Sequence, residues 1–250
     1  MSDGVSQDHR SSPNFLRVRN LNVDVAGAPI LYDVSFDLEP GKITGLVGES
    51  GGGKTTLALA LLNLLSPARY RIRGEVRMLG TNLLALTDRH LEAVRGAQIS
   101  MIFQDPLQAL NPVLRVGTQV TEVLRAHGRR RDSDALEPLF RLAGLADWRR
   151  IAGSYPHQLS GGERQRVTIA QALACQPALV IADEPFTALD AVLVVEMAAL
   201  LRRLRDELHT SFLLISHSLG LIATTADSVL MMRGGRIVKH GAPRQVLDAN

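Results

Sequence analysis

The sequence predicts an α/β fold with a doubly wound, mainly parallel sheet and an inserted helical subdomain. Three observations support this prediction. Short apolar strand segments alternate with helix-length segments in the second half of the chain, which is typical of parallel sheets. A glycine-rich loop joins an apolar strand to a helix near residue 50. Between Val116 and Leu145 the apolar residues recur at helical spacing.

The first half of the chain supplies the early strands. Alternating apolar residues predict strands in Phe15–Val25 and Tyr32–Leu38, and Ile43–Val47 is a short apolar strand. After the glycine-rich loop, an apolar helix is expected through Leu57–Leu65, with Pro67 as its stop signal. Two further strand segments are predicted at Gly74–Leu79 and Gln98–Phe103.

The helical subdomain is expected at about 105–158, after which the α/β pattern resumes. The predicted elements are helix 161–174, strand 178–182, helix 189–207, strand 211–215, a short helix, strand 228–232 and strand 236–239. The polar segment 1–13 is expected to be a flexible tail, so that one domain spans 14–250.

Composition narrows the class of protein. The chain has 250 residues, of which 46% are hydrophobic and 21% charged, as is ordinary for one globular domain. Its one cysteine, Cys175, excludes an internal disulfide and a metal or iron–sulfur site built from several cysteines. No apolar run reaches the ~18–20 residues that span a bilayer. We therefore expect a soluble or peripheral protein.

The charge of the chain leaves two interpretations open. The formal net charge is +3, and 25 of the 28 basic residues are arginine. Arginines cluster at Arg129–Arg131, Arg149–Arg150 and Arg202–Arg205, so nucleic acid or an anionic membrane surface is one possible partner. A solvated arginine-rich surface is the alternative. The small net charge favours the second interpretation, and no nucleic-acid partner is expected.

The glycine-rich loop matches the pattern G-x-x-x-x-G-K-[ST] in the context that the pattern requires, after a strand and before a helix. Its backbone N–H groups and the helix N-terminus can bind a phosphate chain, Lys54 can reach the β- and γ-phosphates, and Thr55 can ligate Mg²⁺. The alternative is a glycine-rich turn with a surface lysine. The expected phosphate-binding residues are Gly48, Glu49, Ser50, Gly51, Gly52, Gly53, Lys54, Thr55 and Thr56.

A second motif is an apolar strand from Leu179 that ends in two acids, Asp183 and Glu184. The carboxyl end of a strand is where doubly wound sheets bind ligands. Asp183 can hold Mg²⁺ through its waters, and Glu184 can orient or deprotonate an attacking water. If the motif stood alone, two solvated acids at a turn before Pro185 would be the simpler interpretation. The presence of a phosphate loop in the same chain favours a role at the nucleotide.

With further motifs, the sequence resembles the nucleotide-binding subunits of ATP-binding cassette (ABC) transporters. Gln104 matches the Q-loop glutamine of that family, Ala188–Asp190 its D-loop and His217 its switch histidine. The signature motif is matched by Leu159, Ser160, Gly161, Gly162 and Glu163. These motifs occur in family order from about residue 15 to 245. The resemblance implies a P-loop NTPase core with an additional antiparallel β subdomain.

The resemblance also implies a role for each site residue. Glu184, His217 and Gln104 would be catalytic, and Thr55, Gln104 and Asp183 would hold Mg²⁺. The signature residues would bind the ATP of a partner subunit, so that ATP joins two ATPase subunits and each chain carries two half-sites. Ser160–Gly162 could otherwise be a helix cap and turn. Asp190 would belong to the D-loop.

Three positions depart from the family pattern. The family places an aromatic residue near the adenine, whereas the matching position here is Val25. Stacking of an aromatic ring on a base is worth ~1–3 kcal/mol, so weaker ATP binding or looser base selectivity is expected. Glu163 replaces the usual glutamine, and Ser218 replaces the aspartate that often follows the histidine.

The segment from Phe103 to Pro112 resembles the ATPases of bacterial dipeptide, oligopeptide and nickel importers, as does Ile181–Pro185. The resemblance implies an ATP-hydrolysing motor subunit at the cytoplasmic face of the inner membrane. Its partners would be a second ABC ATPase, two transmembrane permeases and, indirectly, an extracytoplasmic solute-binding protein. The alternatives are a soluble ABC ATPase, such as one associated with carbon–phosphorus lyase, and a degenerate cassette that binds ATP without hydrolysing it.

Overall fold

Two β-sheets form the framework of the chain. The computed structural model describes residues 15–129, 133–187 and 189–248, and the expected tail 1–13 lies outside them. In chain order the strands are β1 (Leu16–Val25), β2 (Ala28–Leu38), β3 (Ile43–Gly48), β4 (Tyr70–Met78), β5 (Thr81–Asn82), β6 (Ile99–Ile102), β7 (Leu179–Asp183), β8 (Ser211–Ile215), β9 (Ser228–Arg233) and β10 (Arg236–Gly241).

Helices follow or separate these strands. They are α1 (Lys54–Leu61), α2 (Asp88–Val94), α3 (Pro106–Ala109), α4 (Val116–Ala126), α5 (Ser133–Leu142), α6 (Trp148–Gly153), α7 (Gly161–Leu173), α8 (Ala191–Leu208), α9 (Leu219–Thr225) and α10 (Pro243–Leu247). Short 3₁₀ turns lie at Leu83–Ala85 and Pro156–Gln158. In the described part of the chain, no helix combines the length and the apolar character needed to cross a membrane.

The larger sheet has six strands in the order β10-β9-β3-β8-β7-β6. All neighbours are parallel except β10 and β9, which pair antiparallel. The smaller sheet is antiparallel, in the order β2-β1-β4-β5. The predicted fold class is thus confirmed, and the parallel order brings the carboxyl ends of β3, β6, β7 and β8 to one edge.

Both faces of the larger sheet are covered. Every residue of β7 and of β8 is buried, as expected for central parallel strands with packed layers on both sides. Successive residues of β7 enter different cores: Leu179 and Ile181 pack in one hydrophobic cluster, and Val180 and Ala182 in the other. The side-chain alternation of a strand therefore holds the sheet between two layers.

The predicted helices differ from the observed ones at their ends, and α2 and α10 were not predicted. Helix α1 begins at Lys54 and ends at Leu61, four residues before the predicted end, because Asn63 adopts a left-handed φ of 50°. The predicted helical stretch 116–145 is divided into α4 and α5. Gly128, with φ of 64°, lies just after α4. The apolar residues of 116–145 keep their helical spacing across this region, so the sequence pattern gives no sign of the break.

Helices α3 to α6 lie in sequence between β6 and α7. Phe140 of α5 is fully buried and belongs to the same hydrophobic cluster as Ile102 of β6 and Val167 of α7. Its ring therefore contributes to the packing of these helices on the rest of the core.

We expect Phe140→Ala to lower the free energy of unfolding by about 3–5 kcal/mol, because it removes a buried ring and leaves a cavity. Urea denaturation followed by circular dichroism measures the change. Val192→Ala is the matched control, since Val192 is 70% exposed and its truncation should change stability by less than about 0.5 kcal/mol. Equal stabilities of the two variants would contradict the core position of Phe140.

Candidate functional site

A cleft of about 470 Å³ opens at the edge where the parallel strands end. Its walls come from the loops after β3, β6, β7 and β8, and from the start of β2. It is lined by Ile30, Ser50, Gly51, Gly53, Lys54, Thr55, Thr56, Gln104, Asp183, Glu184 and His217. Residues that are distant in sequence, and that the motifs single out, therefore meet in one place.

The phosphate loop needs glycine at two positions for steric reasons. Gly48 has a φ of +156°, and a Cβ atom there would lie 2.2 Å from the carbonyl oxygen of Met232. Gly53 has a φ of +96° at the N-cap of α1, and a Cβ atom there would lie 2.8 Å from the Leu31 side chain. A larger residue at Gly48 would collide with backbone and force the loop away from the sheet, whereas at Gly53 the positive φ is what disfavours a side chain.

Lys54 is the first residue of α1 and is only 8% exposed. Its Nζ donates to the carbonyl oxygens of Gly48 and Glu49, both at 2.9 Å. The ammonium group thus lies across the phosphate loop. Since three donors are available on a lysine ammonium, one remains for an anion in the cleft.

Asp183 is the last residue of β7 and is only 4% exposed. Burial raises the pKa of this carboxyl, and the negative Glu184 raises it further, while a hydrogen bond from Thr55 and the positive Lys54 lower it. Its Oδ1 is buried without a hydrogen-bond partner among the described residues. Mg²⁺ prefers oxygen ligands, so an unpaired carboxylate oxygen beside the Thr55 hydroxyl fits this ion.

Glu184 follows immediately in a strained conformation, with a φ of 47°. Its N–H donates to the Ile215 carbonyl at 3.0 Å, and its Oε2 accepts from Thr187 Oγ1 at 3.1 Å. The same Oε2 lies 2.8 Å from His217 Nδ1. Because an ionised carboxylate only accepts, the hydrogen of this contact lies on Nδ1.

Gln104 lies in the exposed loop after β6 and lines the same cleft as the phosphate loop. It also lines a neighbouring cleft of about 790 Å³, together with Phe103, Gln108 and Thr187. Gln104, Thr55 and Asp183 line both clefts, and of these three Gln104 lies in the segment that leads into α3.

The signature segment Leu159–Glu163 does not line the phosphate cleft of its own chain. Ser160 is the N-cap of α7, and its Oγ accepts from the N–H of Glu163 at 3.2 Å. In return, Glu163 Oε2 accepts from the Ser160 N–H at 2.9 Å, which completes a capping box. The helix cap considered from the sequence is thus present, and Gly161 and Gly162 form the first turn.

Asp190 caps α8, since its Oδ1 accepts from the Leu193 N–H at 2.9 Å. A Cβ atom placed on Gly162 would lie 3.5 Å from Leu193. The D-loop end of α8 therefore packs beside the signature segment. Ala188 of the predicted D-loop lies outside the described residues.

Val25 does not line the phosphate cleft. It pairs with Ala28 and Tyr70 in the antiparallel sheet. The residue of this region that does line the cleft is Ile30, whose backbone oxygen and Cγ2 lie 3.5 and 3.6 Å from the Cβ position of Gly53. Motif reasoning missed Ile30. The signal in the sequence was that Ile30 is an apolar residue at the exposed start of a strand, two positions before Tyr32.

Tyr32 is not a substitute for the missing aromatic residue. It lies in β2 with its N–H on the Gly235 carbonyl at 2.9 Å, and the Arg236 guanidinium is 5.1 Å from its ring centroid. A ring held in this way contributes to packing between the two sheets, in agreement with the prediction that Tyr32 belongs to the second strand.

Comparison with known proteins decides the family. Residues 31–187 match the family described as "ABC transporter". The chain belongs to the ABC transporter family. This match spans the phosphate loop, the signature segment and both acids of β7, so the resemblance inferred from the motifs is confirmed.

Two relatives of this ABC protein indicate its branch. It is 40% identical over 253 residues to the oligopeptide transport ATP-binding protein OppD of Salmonella typhimurium, which covers 98% of this chain and 75% of OppD. It is 45% identical over 241 residues to a Brucella melitensis protein provisionally named a peptide import ATP-binding protein, which covers 93% of this chain and 72% of that one.

Solved structures agree with the fold. A dimeric ATP-binding cassette in a post-hydrolysis state with ADP and Pi superposes with a TM-score of 0.80 at 26% identity, over 92% of this chain and 99% of that one. CbiO1 of Clostridium perfringens, part of an ABC transporter complex, superposes with a TM-score of 0.81 at 25% identity, over 94% and 91%. The chain is therefore an ABC-type ATPase.

We expect Asp183→Asn to stabilise the nucleotide-free chain at neutral pH, with a melting temperature about 2–4 °C higher. The raised pKa means that ionisation of Asp183 opposes folding, so the gain is complete above the folded pKa. It should vanish as the pH falls below the ordinary aspartate value of about 3.9. Thermal denaturation at several pH values measures this, and a loss of stability at pH 7 would contradict it.

Proposed function

We propose that this chain is the ATP-hydrolysing motor subunit of an ABC importer for peptides, nickel or a similar small solute. The observation that carries the proposal is the convergence of Lys54, Asp183, Glu184 and His217 in one cleft, with Glu184 in contact with His217 at 2.8 Å. The names of the relatives, which refer to peptide import and oligopeptide transport, favour peptides as the solute.

ATP would bind with its phosphates against the loop Gly48–Thr56. The amides of the first turn of α1 and the ammonium of Lys54 supply positive charge there. Ile30 lines the cleft beside Gly53, and we propose that it forms an apolar wall on the nucleoside side. An aliphatic side chain contacts any base without the defined geometry of ring stacking, so we expect the selectivity among nucleotide bases to be loose.

Thr55, Asp183 and Gln104 would hold Mg²⁺, which neutralises phosphate charge when it is bound. The chain supplies the other catalytic groups. Glu184 would take the proton of the attacking water through its carboxylate. His217, whose Nδ1 contacts Glu184, would orient that carboxylate, and with both ring nitrogens protonated it would donate Nε2–H to the terminal phosphate.

The signature segment would act on a second nucleotide. Ser160, Gly161 and Gly162 form the N-terminus of α7, yet they do not line their own chain's cleft. A helix N-terminus binds anions, so these residues suit the phosphate of an ATP held by a second ABC ATPase subunit. The dimeric cassette among the structural neighbours supports this arrangement.

Transmembrane permeases would dock on the segment Gln104–Pro112. Gln119 anchors this segment to α4, since its amide bonds the backbone N–H and carbonyl of Asn111 at 2.8 and 2.9 Å. Leu107 remains 51% exposed and Phe103 42% exposed, which suits contact with a partner. Helices α3–α6 would then be the inserted subdomain that transmits movement to two permeases at the cytoplasmic face of the inner membrane, with a solute-binding protein as an indirect partner.

We expect Glu184→Gln to lower the rate of ATP hydrolysis by about 10²–10⁴-fold, because the general base is lost, while ATP binding persists. Phosphate release and equilibrium binding of radiolabelled ATP measure the two effects. Glu207→Gln, which changes an exposed acid of α8, is the control and should leave the rate unchanged. A wild-type rate in Glu184→Gln would contradict the proposed role of Glu184, and a wild-type chain that binds ATP without hydrolysis would indicate a degenerate cassette.

A second test concerns the docking segment. We expect Leu107→Asp to abolish solute uptake in cells, because it places a charge on an apolar contact surface, while the purified chain hydrolyses ATP within about twofold of the wild-type rate. Val238→Asp, at a 48% exposed position of β10, is the control and should sustain uptake. Normal uptake with Leu107→Asp would exclude this segment as the permease contact.

A further inference from the structure

A negative charge stands at the helix end that is proposed to bind a phosphate. The Glu163 side chain accepts from the Ser160 N–H at 2.9 Å, and this backbone hydrogen bond, with help from Arg150, lowers the pKa of the carboxyl. Glu163 is therefore ionised at neutral pH. Because Ser160 Oγ already accepts from Glu163 N–H, its own hydroxyl proton remains available for an anion.

Arg150 of α6 offsets this charge. Its Nη2 donates to Glu163 Oε1, and its Nε donates to Asp147 Oδ2 at 3.0 Å. The other arginine close to the signature segment, Arg164, donates instead to the Leu159 carbonyl at 2.7 Å. In residues 15–129, 133–187 and 189–248, Arg150 is the cation that forms an ion pair with Glu163.

We propose that Arg150 is a positioning residue for hydrolysis in the dimer: it neutralises Glu163 so that the N-terminus of α7 can accept the terminal phosphate of ATP bound by the second ATPase subunit. The inference rests on the proposed function. With Asp147 and Glu163, the Arg150 cluster carries a net charge of −1. The guanidinium fork suits this bridge between two carboxylates better than a lysine would.

The net charge of the Arg150 cluster in different variants distinguishes an electrostatic role of Arg150 from a structural role in packing α6 against α7. Removal of the guanidinium leaves a cluster charge of −2, with Glu163 unneutralised. If glutamine also replaces Glu163, the charge returns to −1, and the amide oxygen can still accept from the Ser160 N–H. The ion pair between α6 and α7 is absent from Arg150→Ala and from the double variant. Only an electrostatic role of Arg150 therefore predicts that Glu163→Gln rescues Arg150→Ala.

The test uses tagged full-length chain isolated from membranes of its own organism with the subunits that accompany it. We expect Arg150→Ala to raise the KM for ATP about tenfold through like-charge repulsion, whereas Glu163→Gln, which removes a negative charge beside the phosphate, should lower the KM. In the double variant Arg150→Ala/Glu163→Gln the KM should return to within about twofold of the wild-type value. A double variant as impaired as Arg150→Ala would overturn the proposal, as would a wild-type KM in Arg150→Ala.

Two controls sharpen the result. Arg149→Ala removes the same charge from the same helix, but that guanidinium lies over the Trp148 ring at 4.6 Å, and the KM should change by less than about twofold. Raising the salt from about 50 to about 500 mM should shrink the Arg150→Ala defect, because ions screen the repulsion. A defect insensitive to salt would overturn the electrostatic role. If wild-type complex hydrolyses no ATP, the proposed function itself fails and this inference falls with it.

Discussion

The hydrogen-bonded run of parallel strands β3, β8 and β7 is the constraint on which the site depends. These strands are buried on both faces, and each ends at the same edge of the sheet. In a parallel sheet all strands run in the same direction, so their carboxyl ends lie at the same edge. The phosphate loop, the paired acids and the histidine are each within two residues of such an end, so the order of the strands, rather than any local contact, brings them together.

The same edge collects the features that oppose folding. Glu184 occupies a left-handed φ, and Asp183 buries a carboxylate oxygen without a partner among the described residues. Each costs free energy of order 1–3 kcal/mol. The buried strands on both sides supply the stability that permits this cost. Residues that a designer would replace for stability are thus the ones that a nucleotide and its metal ion would use.

Sequence reasoning predicted most of the strands, and it singled out motif residues that line one cleft, because both depend on local pattern. Leu179–Ala182 is apolar throughout, and Gly48–Thr55 has a fixed spacing, so neither needs tertiary information. Sequence reasoning failed for features that depend on three-dimensional packing. The break between α4 and α5 depends on a left-handed Gly128, and the wall residue Ile30 is found only when β2 is laid against Gly53. The contact between Glu184 and His217 spans 33 residues and likewise depends on strand order.

The capping of α7 shows how one helix end can carry two conflicting requirements. A helix N-terminus favours a carboxylate, which satisfies its amides and its dipole. A phosphate-binding N-terminus needs the same positive potential for its ligand. With glutamine at the third position, the cap is made by a neutral oxygen and the conflict does not arise. With Glu163, the cap is stronger but the potential is reduced, so a cation must come from elsewhere. Arg150 comes from α6, in the inserted subdomain that would transmit movement to the permeases, so the electrostatics of the nucleotide site would depend on the position of that subdomain.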